Sequence, residues 1–383
     1  MTAFNGIKIG FDAKRAFTNH SGLGSYSRNI VSSLKRFYPC NSYVLFTPEK
    51  QAPGIFFNDS GFEVVTPGRV GIKFLAAFWR NFQLTGQLKY ESVNLFHGLS
   101  NELPSGIHRL SIPSVVTIHD LIFLKFPGFY RPVDRLIYRS KVRYACQAAT
   151  RVIAVSNQTR RDLIGLLNVP EDKIDVVYQP VSQRFFENPE AFEISAVKEK
   201  YGLHENFILS VGTIEDRKNQ LNIIRAVREE GIDREIVFIG RKTGYADRLM
   251  DYIRLNRMNN QVRFISDLPD EDLPSIYALA GASVYLSKYE GFGIPVIEAM
   301  AAGCPVVASN APCLPETSGG AALLVDPENI GAIGLTIKSV LENKEVRAEL
   351  ISKGKERAAF FTPENAARNL ITVYSKILNF RNH

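Results

Sequence analysis

Short apolar runs alternate with stretches of helical period along nearly the whole chain. Residues 7–11, 43–46, 62–65, 93–97, 114–120, 151–156 and 174–178 read as strands. The run Ser114-Val115-Val116-Thr117-Ile118 is almost continuously apolar, as in a strand buried on both faces. Helical spacing fills the gaps. From Ser25 the apolar positions Tyr26, Ile30, Val31 and Leu34 share one helix face, and a basic helix spans residues 131–149. Residues 71–89 predict an aromatic, basic helix holding the only Trp, which suits either a membrane interface or a core. Ser156 is a good N-cap for the helix after its strand.

Residues 180–205 turn polar and charged around Pro180 and Pro189. The alternation then restarts, with strands at 207–213, 236–240, 262–265, 282–286, 306–308 and 322–325 and a helix at 220–230. A last helix covers Pro363–Phe380, with Thr362 as its cap. The pattern predicts an α/β chain of two Rossmann-like domains, 1–180 and 206–362, with 181–205 as linker. Two such domains facing one another form a cleft.

A length of 383 residues fits two cores better than one. No apolar run approaches the ~20 residues of a membrane span, and the start of the chain lacks a signal pattern. Cys40, Cys146, Cys304 and Cys313 lack metal-ligand spacing and read as reduced thiols in a cytoplasmic protein. Charge changes the picture more. Residues 1–190 hold 23 Lys and Arg against 14 Asp and Glu, while the remainder holds 23 against 25. A basic first half predicts an anionic partner: nucleic acid, a membrane surface or a phosphorylated substrate. The chain has no nucleic-acid recognition motif, so the last two are favoured.

The chemistry concentrates after the strand at 282–286. Glu290-Gly291-Phe292-Gly293-Ile294-Pro295 is a glycine loop opening into a helix, with Pro295 in its first turn. A helix N-terminus favours an anion. Glu290 and Glu298 flank it and suit neutral hydroxyls beside that anion, such as those of a sugar or ribose. Arg217 and Lys218 follow the strand at 207–213 and supply fixed positive charge for a diphosphate. In the first domain a second glycine loop, Gly22-Leu23-Gly24, follows the first strand, and His119-Asp120 stands at a strand's carboxyl end. There a carboxylate orients a neutral imidazole. Asp270-Glu271-Asp272 precedes a helical pattern, so Asp270 reads as an N-cap and not a metal site.

Tyr289-Glu290-Gly291-Phe292-Gly293 with Glu298 resembles the signature of retaining, nucleotide-sugar-dependent glycosyltransferases of family 4, which have the GT-B fold. Val211-Gly212-Thr213-Ile214-Glu215-Asp216-Arg217-Lys218-Asn219 is similar to that family's diphosphate loop. Thr117-Ile118-His119-Asp120, Ile153-Ala154-Val155-Ser156 and Gly22-Leu23-Gly24-Ser25-Tyr26 resemble its first-domain elements.

The resemblance implies a role for each residue. Glu298 would hold the donor ribose, and Glu290 a sugar hydroxyl. Gly291, Phe292, Gly293 and Ile294 would surround the sugar and diphosphate. Lys218 with Arg217 would neutralise the diphosphate beside Thr213, where many relatives carry an arginine. His119 would meet the sugar near the reacting carbon, and Gly22 and Gly24 would lie by the diphosphate and acceptor. It further implies that helix 363–383 packs back on the first domain, and that no metal or other cofactor takes part. The donor would be GDP-mannose first or a UDP-hexose second. The acceptor would be a glycan or lipid-linked glycan, reached at the inner face of the membrane. A sugar-nucleotide 2-epimerase shares the fold and is the alternative.

Overall fold

The computed structural model describes residues 4–49, 52, 55, 57–67 and 78–379. The chain divides into two compact units, one of residues 1–180 with 363–383 and the other of residues 181–362.

The first unit is built on β1 (Lys8–Asp12), β2 (Ser42–Phe46), β3 (Glu63–Val65), β4 (Leu95–Gly98), β5 (Ser114–Ile118), β6 (Arg151–Ala154) and β7 (Ile174–Val176). They form one sheet in the order β3-β2-β1-β4-β5-β6-β7, and every pairing is parallel. Parallel strands need crossovers, and helices supply them. These are α1 (Lys14–Thr18), α2 (Gly22–Phe37), α3 (Leu84–Tyr90), α4 (Ile122–Lys125), α5 (Pro132–Ala148) and α6 (Asn157–Leu167). Ser156 caps α6 by accepting from the Thr159 N–H at 3.0 Å. The core has two halves, one on each face of the sheet. Ile9, Phe11 and Leu95 pack with α2, and Val116, Ile118 and Val152 pack with α5.

The second unit holds α7 (Ala191–Tyr201), β8 (Ile208–Val211), α8 (Gln220–Glu229), β9 (Ile236–Ile239), α9 (Tyr245–Leu255), β10 (Val262–Ile265), α10 (Leu273–Leu279) and β11 (Ala282–Tyr285). It continues with α11 (Ile294–Ala301), β12 (Val306–Ser309), α12 (Leu314–Ser318), β13 (Leu323–Val325), α13 (Ile330–Glu342) and α14 (Lys344–Ala358). Its parallel sheet runs β10-β9-β8-β11-β12-β13. The last helix, α15 (Pro363–Asn379), belongs to the first unit and packs on α2 through Ala367, Leu370 and Tyr374.

Four differences from the sequence reading have physical causes. Residues 181–205 are not a bare linker but part of the second unit, where α7, closed by a Glu190/Glu193 capping box, lies against α10. Gly22 and Gly24 are not in a loop but form the first turn of α2. A Cβ on Gly24 would stand 1.8 Å from the Asn19 carbonyl oxygen, so that glycine is needed for close backbone packing. Asp270 does not cap α10, which begins after Asp272, and the Asp272 carboxylate accepts from Lys200 (2.7 Å) and Tyr201 (2.6 Å). The predicted helix at 71–89 lies outside the described residues as far as 77. Beyond it a π-helical turn, Trp79–Gln83, leads into α3, and Trp79 is buried in the core.

Candidate active site

Both sheets have a switch in strand order, where successive crossovers leave in opposite directions. Such points open a crevice at the carboxyl ends of parallel strands. In the second unit the switch lies between β8 and β11. The loop after β8 carries Glu215, Arg217 and Lys218, and the loop after β11 carries Ser287 and Glu290.

Three donors meet on one oxygen of Glu290. Arg217 Nη1 and Lys218 Nζ each donate to Oε1 at 2.6 Å, and Ser287 Oγ donates at 2.5 Å. Arg217 also donates to the Tyr289 carbonyl at 2.7 Å and to Glu215 at 2.5 Å. Lys218 donates to the Tyr285 hydroxyl and lies over that ring, 4.6 Å from its centre. Burial raises the Glu290 pKa, but the Lys218 and Arg217 charges outweigh it and hold the carboxyl at about 2. Burial lowers the pKa of the Lys218 ammonium, and Glu290 opposes that. Two cations and two carboxylates thus form one neutral knot. An incoming diphosphate would find the cations already ordered, and would compete with Glu290 for them.

The loop then turns into α11 at Gly293, whose φ of +96° is left-handed, and where a Cβ would meet Leu314 at 2.6 Å. Phe292 turns its ring against Phe361, while its carbonyl accepts from Thr317 Oγ1 at 2.6 Å and from Cys313. Gly291 is buried, and Ile294 and Pro295 form the first turn of the helix. Glu298 is half-buried, with Oε2 3.5 Å from the Tyr277 hydroxyl. Burial, with the Asp270 charge added, pushes its pKa up to about 8. Thr213 follows β8, and its carbonyl accepts from Gln220 at 3.0 Å. The loop arrangement brings Arg217, Lys218 and Glu290 into contact. Glu298 lies further along α11, and among the described residues its hydrogen-bond partner is Tyr277 and none of these three.

In the first unit His119 follows β5. Its Nε2–H donates to the Leu99 carbonyl at 2.9 Å, and Nδ1 accepts from the Gln179 amide at 3.1 Å. A carbonyl can only accept, so these partners fix the neutral Nε2–H tautomer. Burial lowers the ring's pKa to about 4. The partners on the ring nitrogens are therefore Leu99 and Gln179, while Asp120 accepts from the Ile122 N–H at 3.1 Å. Tyr26 of α2 packs edge-on to His119 with 4.6 Å between ring centres. Behind it His97, fully buried, is hydrogen-bonded to Tyr374 (2.6 Å) and Thr117 (2.8 Å), and Thr117 to Tyr26 (3.1 Å).

Sequence reasoning missed several of these partners. Ser287 and Glu215 lie within three residues of Glu290 and Arg217, so proximity was an available signal. Gln179, Tyr285 and Tyr374 carry no local signal, because only the fold brings them to their partners.

Two doubly wound parallel-sheet domains define the fold class, which is GT-B. The family profile described as "Glycosyl transferases group 1" matches residues 192–357, and "Glycosyltransferase Family 4" matches residues 20–184. The "O-antigen chain mannosyltransferase B" of Escherichia coli is 32% identical over 286 residues, 73% of this chain and 74% of that protein. The "O-antigen chain mannosyltransferase RfbU" of Salmonella typhimurium is 27% identical over 357 residues, 90% of this chain and 93% of that protein. Among solved structures, Anabaena HepE in complex with UDP-glucose superposes with a TM-score of 0.76 at 19% identity, over 97% of this chain and 100% of that one. Sucrose-phosphate synthase from Thermosynechococcus elongatus gives 0.78 at 20% identity, over 97% of this chain and 99% of that one. The chain belongs to the group 1, family 4 glycosyltransferases, and it is a transferase of that family.

Proposed function

We propose that this enzyme moves a hexose, with retention, from a nucleotide diphosphate sugar to a glycan or lipid-linked glycan, without a metal. The observation that carries the reading is the Glu290 knot. Lys218 and Arg217 stand ready to take the charge of a departing diphosphate. Released from them, Glu290 accepts a hydroxyl of the donor sugar, and Glu298 takes the ribose. His119 keeps its proton on Nε2 and both nitrogens occupied, so it positions the sugar and is neither base nor nucleophile. The departing diphosphate accepts the acceptor's proton on the face it leaves.

Mannose is the sugar best supported, since two relatives are named O-antigen mannosyltransferases. GDP-mannose is the first donor and a UDP-hexose the second; HepE was crystallised with UDP-glucose. The proposed place of work is the cytoplasmic side of a membrane. No helix among the described residues is long and apolar enough to cross one. A visit to the surface is supported by α5, where Val133, Leu136 and Ile137 point outward at helical spacing beside Arg139 and Arg143.

The test is a thermal-shift panel of GDP-, UDP- and ADP-sugars, followed by product analysis with the sugar that binds. Stabilisation by one donor and release of its nucleoside diphosphate with an acceptor are expected. An isomeric sugar nucleotide as product, with no transfer, would make the protein an epimerase.

A further inference from the structure

The glycine loop that opens α11 is gripped from behind by side chains of α12 and α14. The Phe292 carbonyl accepts from Thr317 Oγ1 at 2.6 Å and from Cys313 Sγ at 3.2 Å, one donor for each lone pair. All three residues are buried. Burial, with the Glu290 charge added, holds the Cys313 pKa well above its ordinary value, so the thiol keeps the proton it donates. Cys313 has a φ of +76°, a strained conformation for a residue with a Cβ and one that recurs at ligand clamps. Arg357 of α14 braces the grip. Its Nε donates to the Thr317 carbonyl at 2.9 Å and its Nη2 to the Glu316 carbonyl at 2.6 Å. The same guanidinium lies over the Phe361 ring, 4.8 Å from its centre, and Phe361 meets the Phe292 ring edge-on at 5.5 Å.

A clamped carbonyl fixes more than itself. The Phe292–Gly293 peptide is trans and planar, so its N–H points opposite to its C=O. With the carbonyl turned to Thr317 and Cys313, the Gly293 N–H points away from them, at the start of α11. Among the described residues that N–H makes no hydrogen bond. Glycine at 293 would let the peptide turn over at little steric cost. A flip would put a carbonyl where the N–H stands, and a carbonyl repels an anion that the N–H would bind. The Thr317 and Cys313 bonds are what such a flip must break.

We infer that Thr317 and Cys313, braced by Arg357, are positioning residues that lock the Phe292–Gly293 peptide so that the Gly293 N–H is presented to the diphosphate of the donor. They act through that N–H and not by a contact of their own. That the anion belongs to a nucleotide sugar rests on the transferase reading; the locked peptide does not.

The experiment is calorimetric titration of the full chain with inorganic pyrophosphate, well below the melting temperature of each variant. Thr317→Val keeps the shape and removes the hydroxyl, while Thr317→Ser keeps the hydroxyl and removes a methyl. The wild type and Thr317→Ser are expected to bind alike, and Thr317→Val about 10-fold more weakly, the loss of one buried hydrogen bond. A residue that served packing alone would give the reverse order. Cys313→Ser against Cys313→Ala makes the same comparison if Thr317→Val fails to fold. The proposal is overturned if the wild type does not bind pyrophosphate, if Thr317→Val and Cys313→Ala bind like the wild type, or if Thr317→Ser loses as much as Thr317→Val. GDP-mannose and UDP-glucose are titrated in parallel. If neither binds while pyrophosphate follows the expected order, the transferase reading falls and the lock stands. If one binds equally to the wild type and to the Val and Ala variants, that reading stands and the lock falls.

Discussion

Glu290 is the residue on which the proposed chemistry turns, and it has two partners of opposite need. It compensates Lys218 and Arg217, and in the proposed reaction it reads a hydroxyl of the sugar. Glu290→Gln keeps the shape and removes the charge, while Lys218→Ala removes half of the cationic pair. Each is expected to lower transfer at least ~100-fold, measured as nucleoside diphosphate release. Near-normal turnover in both would reject the assignment. Glu290→Gln also leaves two buried cations short of a partner, so its stability should fall by about 3–5 kcal/mol in denaturant titration.

Glu298 makes a different prediction at the same scale. Its folded pKa is raised to about 8 from an ordinary 4.5. Between those values the folded state holds a proton that the unfolded chain releases. Stability contributed by this carboxyl is therefore fully present below the unfolded value and is lost as pH rises to about 8. Glu298→Gln removes that loss. The variant's melting temperature should gain on the wild type between pH 6 and pH 9. A constant difference across that range would mean that Glu298 ionises as an ordinary carboxylate.

At the scale of elements, α5 is apolar on two faces. Val142, Ala145 and Cys146 enter the core, while Leu136, 68% exposed, and Val133, 67% exposed, point the other way. Arg131, Arg139 and Arg143 flank them, without an ion pair among the described residues. Such a face suits an anionic bilayer, where apolar side chains insert and arginines meet head groups. Leu136→Glu should reduce cosedimentation with phosphatidylglycerol vesicles at least 5-fold, with nucleotide binding unchanged. Equal sedimentation of variant and wild type would remove α5 from the membrane reading. Element prediction worked well where periodicity is strong, as in α2 and β5. It failed where a turn conformation decides the boundary: Gly22 and Gly24 read as a loop because glycine pairs usually are one, yet both lie in the first turn of α2, where the Asn19 carbonyl leaves no room for a side chain on Gly24.

For the molecule as a whole, the chain returns after the second unit to complete the first. Tyr374 of α15 reaches His97 across 277 residues of sequence, and both are fully buried. Burial lowers the His97 pKa to about 3, so the ring is neutral and needs a partner for each nitrogen. Tyr374→Phe leaves Nδ1 without its hydroxyl partner. It should destabilise the first unit by about 1–3 kcal/mol in urea titration, with nucleotide binding by the second unit retained. An unchanged midpoint would show that α15 holds by packing alone.

The sequence by itself determined the two parallel-sheet domains, because alternating apolar runs and helical periods have few other solutions. It also marked Glu290, Glu298, Arg217 and Lys218, since glycine, proline and charge cluster locally around strand ends. Only the tertiary structure decided who partners whom. That His119 is fixed by Leu99 and Gln179, and that Glu290 gathers three donors on one oxygen, both depend on adjacent strands from distant parts of the chain. Strand order sets those neighbours, and strand order is a property of packed sheets that no local pattern encodes.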